Sequence, residues 1–276
     1  MLITTQTGFL RAIQQAAGNG YWYYTQGTIH CNEVLGFVSQ KKAYNPNQAP
    51  QQAWRDGKRG KARAKLFMYP NGLDTLVWVL MATDGAGDVR NECIKDLRLK
   101  RDRVTIGSYK LIQKPTKGGK QSFTWGLTQV ATEYHIDTLK QAVRTKQDFK
   151  IRQKIADIEA LSSFSGVREV RKRLQSVLKT ESRRVFGDTL TQPYLLKNLF
   201  VRAVKIDSVV NLGHFVGEMQ GKNRDLFEQL ASYRRNKKRR GTSKPKPIEL
   251  PQAAEPVESI PKVDEQPKGW IKKLFS

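Results

Sequence analysis

Six cations fall within eleven residues of the segment WRDGKRGKARAK: Arg55, Lys58, Arg59, Lys61, Arg63 and Lys65, with Trp54 at its edge. Clustered ammonium and guanidinium groups take phosphate by displacing its counterions, and a neighbouring indole can stack on an exposed base. On a loop that runs into a strand, Lys61, Arg63 and Lys65 alternate onto one face while Ala62, Ala64 and Leu66 turn inward. Charges of this kind also guard edge strands against aggregation. Here the cluster runs on into the preceding loop, which favours phosphate contact.

A second basic set lies in the unit 148–180, where two helical segments flank the short turn SSFSG (162–166). The second helix carries Arg168, Arg171, Lys172 and Arg173 opposite an apolar stripe of Val167, Val170, Leu174 and Val177. A Gly-containing turn between two helices, the second of them basic, is the outline of a helix-turn-helix. Plain helical packing is the competing reading. Base contacts would come from side chains near the start of that helix, Gln175 lying a full turn further on. The third set is the run YRRNKKRRGTSKPK (233–246), with Arg234, Arg235, Lys237, Lys238, Arg239 and Arg240. As a helix end passing into a linker, it would grip phosphates without reading sequence.

Catalytic patterns are harder to find. His30, His135 and His214 are isolated, and Cys31 and Cys93 are far apart with no C-x-x-C, so neither a metal nor another cofactor is expected. Tyr21, Tyr23 and Tyr24 would serve as nucleophiles of a nicking enzyme only beside paired imidazoles holding a divalent ion. Asp84, Asp88 and Glu92 lack the spacing of a calcium loop, and Lys95 stands where its closing Glu belongs. The expected chain is therefore not an enzyme. An atypical nuclease using these tyrosines or carboxylates is the alternative, and a single-stranded RNA binder stacking bases on Trp22 and Trp54 is another.

Forty-nine Lys and Arg against 25 Asp and Glu leave a formal charge of +24 on 276 residues. Such a surface repels itself unless it meets a polyanion, and DNA, duplex or single-stranded, is the expected partner. An apolar fraction of 38% with five Trp and eleven Phe argues for a folded body. The segment 243–276 has six basic and five acidic residues, a net of +1, so about +23 belongs to that body. With no basic-plus-apolar leader at the N-terminus and no apolar run of membrane-spanning length, a cytoplasmic location is expected.

The elements that must position these groups read as an α+β domain over 1–133, with a mostly antiparallel sheet, and a mainly helical basic domain over 134–241. Helices are expected at 5–17, at 32–44 with Asn32 as N-cap, and at 88–97 capped by Asp88. Strands are expected at 21–29, 61–69, 75–83, 103–113 and 121–131, with 45–60 as a loop. Six of eleven prolines fall in 242–268, a composition that predicts an extended linker. The peptide 269–276 then sets Trp270, Ile271, Leu274 and Phe275 against Lys272 and Lys273, and would engage a protein partner or a membrane surface. It resembles the short C-terminal membrane-targeting helices of MinD-type and FtsA-type proteins, and more loosely the sliding-clamp-binding peptides.

The ordered string KRGKARAKLFMYP, TLVWVLMATDGAG and YKLIQKPTKGGKQSFTWGLT resembles accessory proteins of plasmids and integrative conjugative elements, the MobI-like mobilisation proteins among them. The likeness covers roughly residues 20–130. It implies a non-catalytic DNA-processing role in transfer or replication of a mobile element, and it carries over no functional residue.

Overall fold

The computed structural model describes residues 1–71, 74–116, 118–119 and 121–187, with Tyr194, Leu196 and the backbone of Val209–Val210. All of these belong to one unit, Met1–Arg234. Helix α1 (Gln6–Gly18) starts where the Thr5 hydroxyl accepts a hydrogen bond from the Gly8 amide at 3.1 Å. Its stripe of Phe9, Leu10, Ile13, Ala16 and Ala17 is buried, as the helical spacing predicts.

Strand β4 (Thr75–Ala82) runs antiparallel between β2 (Tyr23–His30) and β3 (Ala64–Pro70). The short strands β1 (Leu2–Ile3), β5 (Lys95–Asp96) and β9 (Val209–Val210) complete a six-stranded sheet in the order β5-β2-β4-β3-β1-β9, with only β1 and β3 parallel. Period two divides the side chains between the faces. Phe67, Val79 and Met81 join the α1 side, where the Phe9 and Tyr69 rings lie 5.5 Å apart. Ala64, Leu66, Met68, Leu76 and Leu80 take the other face, under α2 (Val34–Lys41), whose Phe37 meets Trp78 at 4.8 Å.

A second sheet of three antiparallel strands, β6 (Thr105–Ile106), β7 (Tyr109–Pro115) and β8 (Gln121–Leu127), packs Tyr109, Leu111 and Trp125 into the same core as α1. The buried Trp125 indole donates to the Leu10 carbonyl at 2.7 Å and ties the second sheet to α1. Helices α5 (Gln129–Arg144), α6 (Asp148–Glu159) and α7 (Ser165–Phe186) then bury a third cluster around Leu139, Val143, Ile151, Ile158, Leu174 and Leu178. The α+β first half with its mostly antiparallel sheets, followed by a helical second half, is the expected class. Helix α5 spans the boundary expected at 133/134 and takes up 129–131, the end of the strand expected at 121–131, because the Thr128 hydroxyl caps it by accepting from the Ala131 amide.

Four further local expectations differ. The stretch read as a loop holds α3 (Pro50–Lys58), with Pro50 in its first turn; it buries no side chain, so no apolar period marked it. At 32–44 a 3₁₀ turn (Cys31–Glu33) precedes α2, and His30, not Asn32, provides the cap by accepting from the Asn32 amide. Leu35 consequently points outward. Of 88–97 only α4 (Val89–Glu92) is helical, without a side-chain cap from Asp88. Cys93 and Leu97 must reach opposite cores, so the chain extends between them and pairs with β2. The expected strand 103–113 is broken at Gly107, whose φ of +54° makes the turn between β6 and β7. No helix among the described residues is long and apolar enough to cross a membrane.

Candidate nucleic-acid interface

The 55–65 cations begin on α3 and end in β3, and backbone bonds fix the segment between them. The Lys61 amide donates to the Asp56 carbonyl, Ala62 to Ala86 and Ala86 to Gly60, all at 2.9 Å. The Arg63 amide donates to the Thr83 hydroxyl at 3.0 Å. Gly85 makes this clamp feasible: its φ is +133°, and a Cβ there would lie 2.6 Å from the Ala62 nitrogen. Arg55, Lys58, Arg59 and Lys61 stand exposed along it. Lys58 sits 4.9 Å over the Trp54 ring, which is 63% exposed.

Ala64 and Leu66 turn inward as expected, whereas Arg63 and Lys65 are half-buried. They lie 5.5 and 4.9 Å from the Tyr21 ring centre. Burial lowers the Lys65 ammonium from its ordinary value, and the Arg63 charge lowers it further.

On α7, Lys172 and Arg173 are exposed and Arg168 is half-buried. Arg171 must be corrected. It is 2% exposed, and its guanidinium donates to the carbonyls of Glu159, at 2.9 Å, and Leu161. It ties down the end of α6 and offers nothing to a ligand.

The helix-turn-helix expectation also changes. Gly166 is a packing residue and not part of the turn: a Cβ there would lie 2.9 Å from the Trp125 carbonyl carbon. Ser165 bonds Thr124 at 2.8 Å, so the first turn of α7 is seated on β8 and cannot enter a groove of DNA. Arg234, Arg235, Lys237, Lys238, Arg239 and Arg240, and Trp270, Ile271, Leu274 and Phe275, lie outside the described residues, as do the linker 242–268 and the terminal peptide.

Sequence reasoning missed a second set of cations. Tyr21 and Trp22 lead into β2, which opens with Tyr23 and Tyr24, and β5 with its flanks brings Arg90, Lys95 and Arg98 near these rings. Arg98 lies 4.6 Å from the Trp22 ring centre and 5.2 Å from that of Tyr23, while Arg90 lies 3.1 Å from Tyr23 and Lys95 5.9 Å from Tyr24. Arg98 Nη2 donates to the Asp96 carboxylate and to the Tyr23 hydroxyl, both at 2.7 Å. Partial burial works against the charge of Asp96, but the Arg98 hydrogen bonds prevail and hold its carboxyl below the ordinary value. The four adjacent aromatics were visible in the sequence. Their cations stand some seventy residues away and meet them only through strand pairing.

Two of the tyrosines considered for nicking chemistry have raised hydroxyl pKa values. Burial, assisted by Asp102, pushes the Tyr24 hydroxyl up to about 12, and burial raises Tyr21 as well. Glu92 is engaged by Lys41 at 2.5 Å, and Asp84 lies 3.9 Å from Arg98. Among the described residues no group of three or more His, Cys, Asp or Glu could hold a metal ion. Comparison with protein-family models, curated proteins and solved structures finds no match.

Proposed function

We propose that this chain is a non-catalytic nucleic-acid-binding protein that grips phosphates of duplex DNA. The observation that carries this reading is the exposed row Arg55, Lys58, Arg59 and Lys61, held by the turn at Asp84–Ala86, beside the exposed Trp54. A fixed row of cations binds a polyanion without the entropy cost of ordering a loop. Lys172 and Arg173 add a second patch whose contacts orient the duplex without reading its sequence. The proposal extends to a service role in transfer or replication of a mobile element, in the cytoplasm, which rests on the sequence resemblance of residues 20–130 alone.

The test is fluorescence anisotropy of a labelled duplex with the full chain, with and without magnesium. Binding without strand cleavage, weakened at least about tenfold in the double variant Arg59→Gln/Lys61→Gln at low salt, is the expected outcome. Cleavage, or binding indifferent to these two charges, contradicts the reading.

A further inference from the structure

A groove lies between α1, the β7–β8 hairpin and the segment leading into α7. It comprises two cavities, about 560 and 380 Å³, whose linings share Arg11, Gln14, Ser122 and Phe123. The larger is also lined by Trp22 and Arg98, the smaller by Phe164 and Arg168. Hydroxyls and amides make up most of the remaining lining, and among the described residues no carboxylate lines either cavity. The Gln14 side-chain oxygen is buried and accepts no hydrogen bond among the described residues. Apart from Arg168, none of this was singled out as a cation site in the sequence, because Arg11 stands alone among apolar and amide residues of α1.

We propose that this groove binds a single-stranded nucleic acid, with Arg11 and Arg168 at phosphates and the aromatic rings against bases. The proposal rests on the nucleic-acid reading above and assigns a second site to it. The Arg98 guanidinium is already paired with Asp96, whereas that of Arg168 meets no carboxylate among the described lining residues and would take an anion. Phosphate alone would leave the rings without a purpose. Bases supply flat partners for them, and their amino and imide N–H groups supply the donor that the Gln14 oxygen lacks.

The bases of a duplex face each other and cannot lie on a ring recessed between a helix and a hairpin, whereas an unpaired base can turn outward. Along the chain, the groove lies one residue from a buried ring that carries the half-buried end of the 55–65 cluster. Trp22 lines the groove, and the preceding Tyr21 carries Arg63 and Lys65.

The experiment uses the full chain with labelled oligo-dT, oligo-rU and a duplex of equal length, at one salt concentration. Arg168→Gln and Phe123→Leu are compared with wild type; the leucine keeps apolar volume and removes the π face. Each variant should weaken both single strands about tenfold and change duplex affinity by no more than about twofold. A preference between dT and rU then identifies whether the 2′-hydroxyl is read. Circular dichroism checks that each variant is folded. Trp22→Phe provides a readout that does not depend on affinity, since it should abolish the part of the fluorescence quenching that single strands cause and Trp54→Phe leaves. Unchanged single-strand affinity in folded variants overturns the proposal, as does a wild type that binds duplex and no single strand. A wild type that binds none of the three overturns the nucleic-acid reading itself.

Discussion

A guanidinium withdrawn from water must replace its hydration with fixed acceptors, and Arg171 does so at the C-terminal end of α6. It is held by the carbonyls of Glu159 and Leu161. Burial opposes its charge more than the Tyr109 and Glu159 fields support it. Arg171→Leu leaves those carbonyls unpaired, and the expected loss of stability is about 2–4 kcal/mol in chemical denaturation. Nucleic-acid affinity of the folded variant should not change. A variant as stable as wild type would contradict the structural role.

His135 makes the matching point for pH. Burial lowers its pKa first and the Lys154 charge further, with Asp157 opposing. Above the unfolded value of about 6.5 the imidazole is neutral in both states and adds no pH dependence. Below it the unfolded chain takes up the proton first, so stability falls with acid until the pH passes the lowered folded value. His135→Gln should lessen the loss of melting temperature between pH 7.5 and 5.5; an unaltered slope would show that the ring is solvated.

At this scale the sequence was half legible. Arg171 falls on the helical line of Val167, Leu174 and Leu178, so its burial was written in the spacing, but its charge placed it with Lys172 and Arg173.

Among the elements, α7 decides how the helical half meets the second sheet. The contact at Gly166 has no room for a side chain, since the obstacle is β8 backbone. Gly166→Ala must push α7 outward and should cost on the order of 1–3 kcal/mol, although alanine favours helix in isolation. A more stable variant would mean that α7 does not sit on β8.

The apolar periods of α1, β3 and β4 were plain, because each buries a stripe or both faces of a sheet. Strand β2 buries only Tyr24 and was marked instead by its aromatic and β-branched residues. Helix α3 buries nothing and left no such trace. Two-residue strands such as β5 are equally silent, since pairing with β2 and not propensity makes them. The groove was out of reach for the same reason: Arg11, Phe123 and Arg168 are brought together only by tertiary packing.

For the whole molecule, a formal charge of +24 makes association with a polyanion strong and dependent on salt whatever the details of any site. Magnitude of binding alone therefore cannot distinguish a built interface from general attraction. The slope can. Each phosphate neutralised in a complex with duplex DNA contributes about −0.9 to the dependence of log K on log salt. The measurement that tests the account most directly is that slope for wild type and for Arg59→Gln/Lys61→Gln. If the clamped cations hold phosphates, the variant loses close to 2 units of slope as well as affinity. A variant whose slope equals that of wild type would mean that the 55–65 row lies away from the bound DNA, and the proposed interface would be wrong.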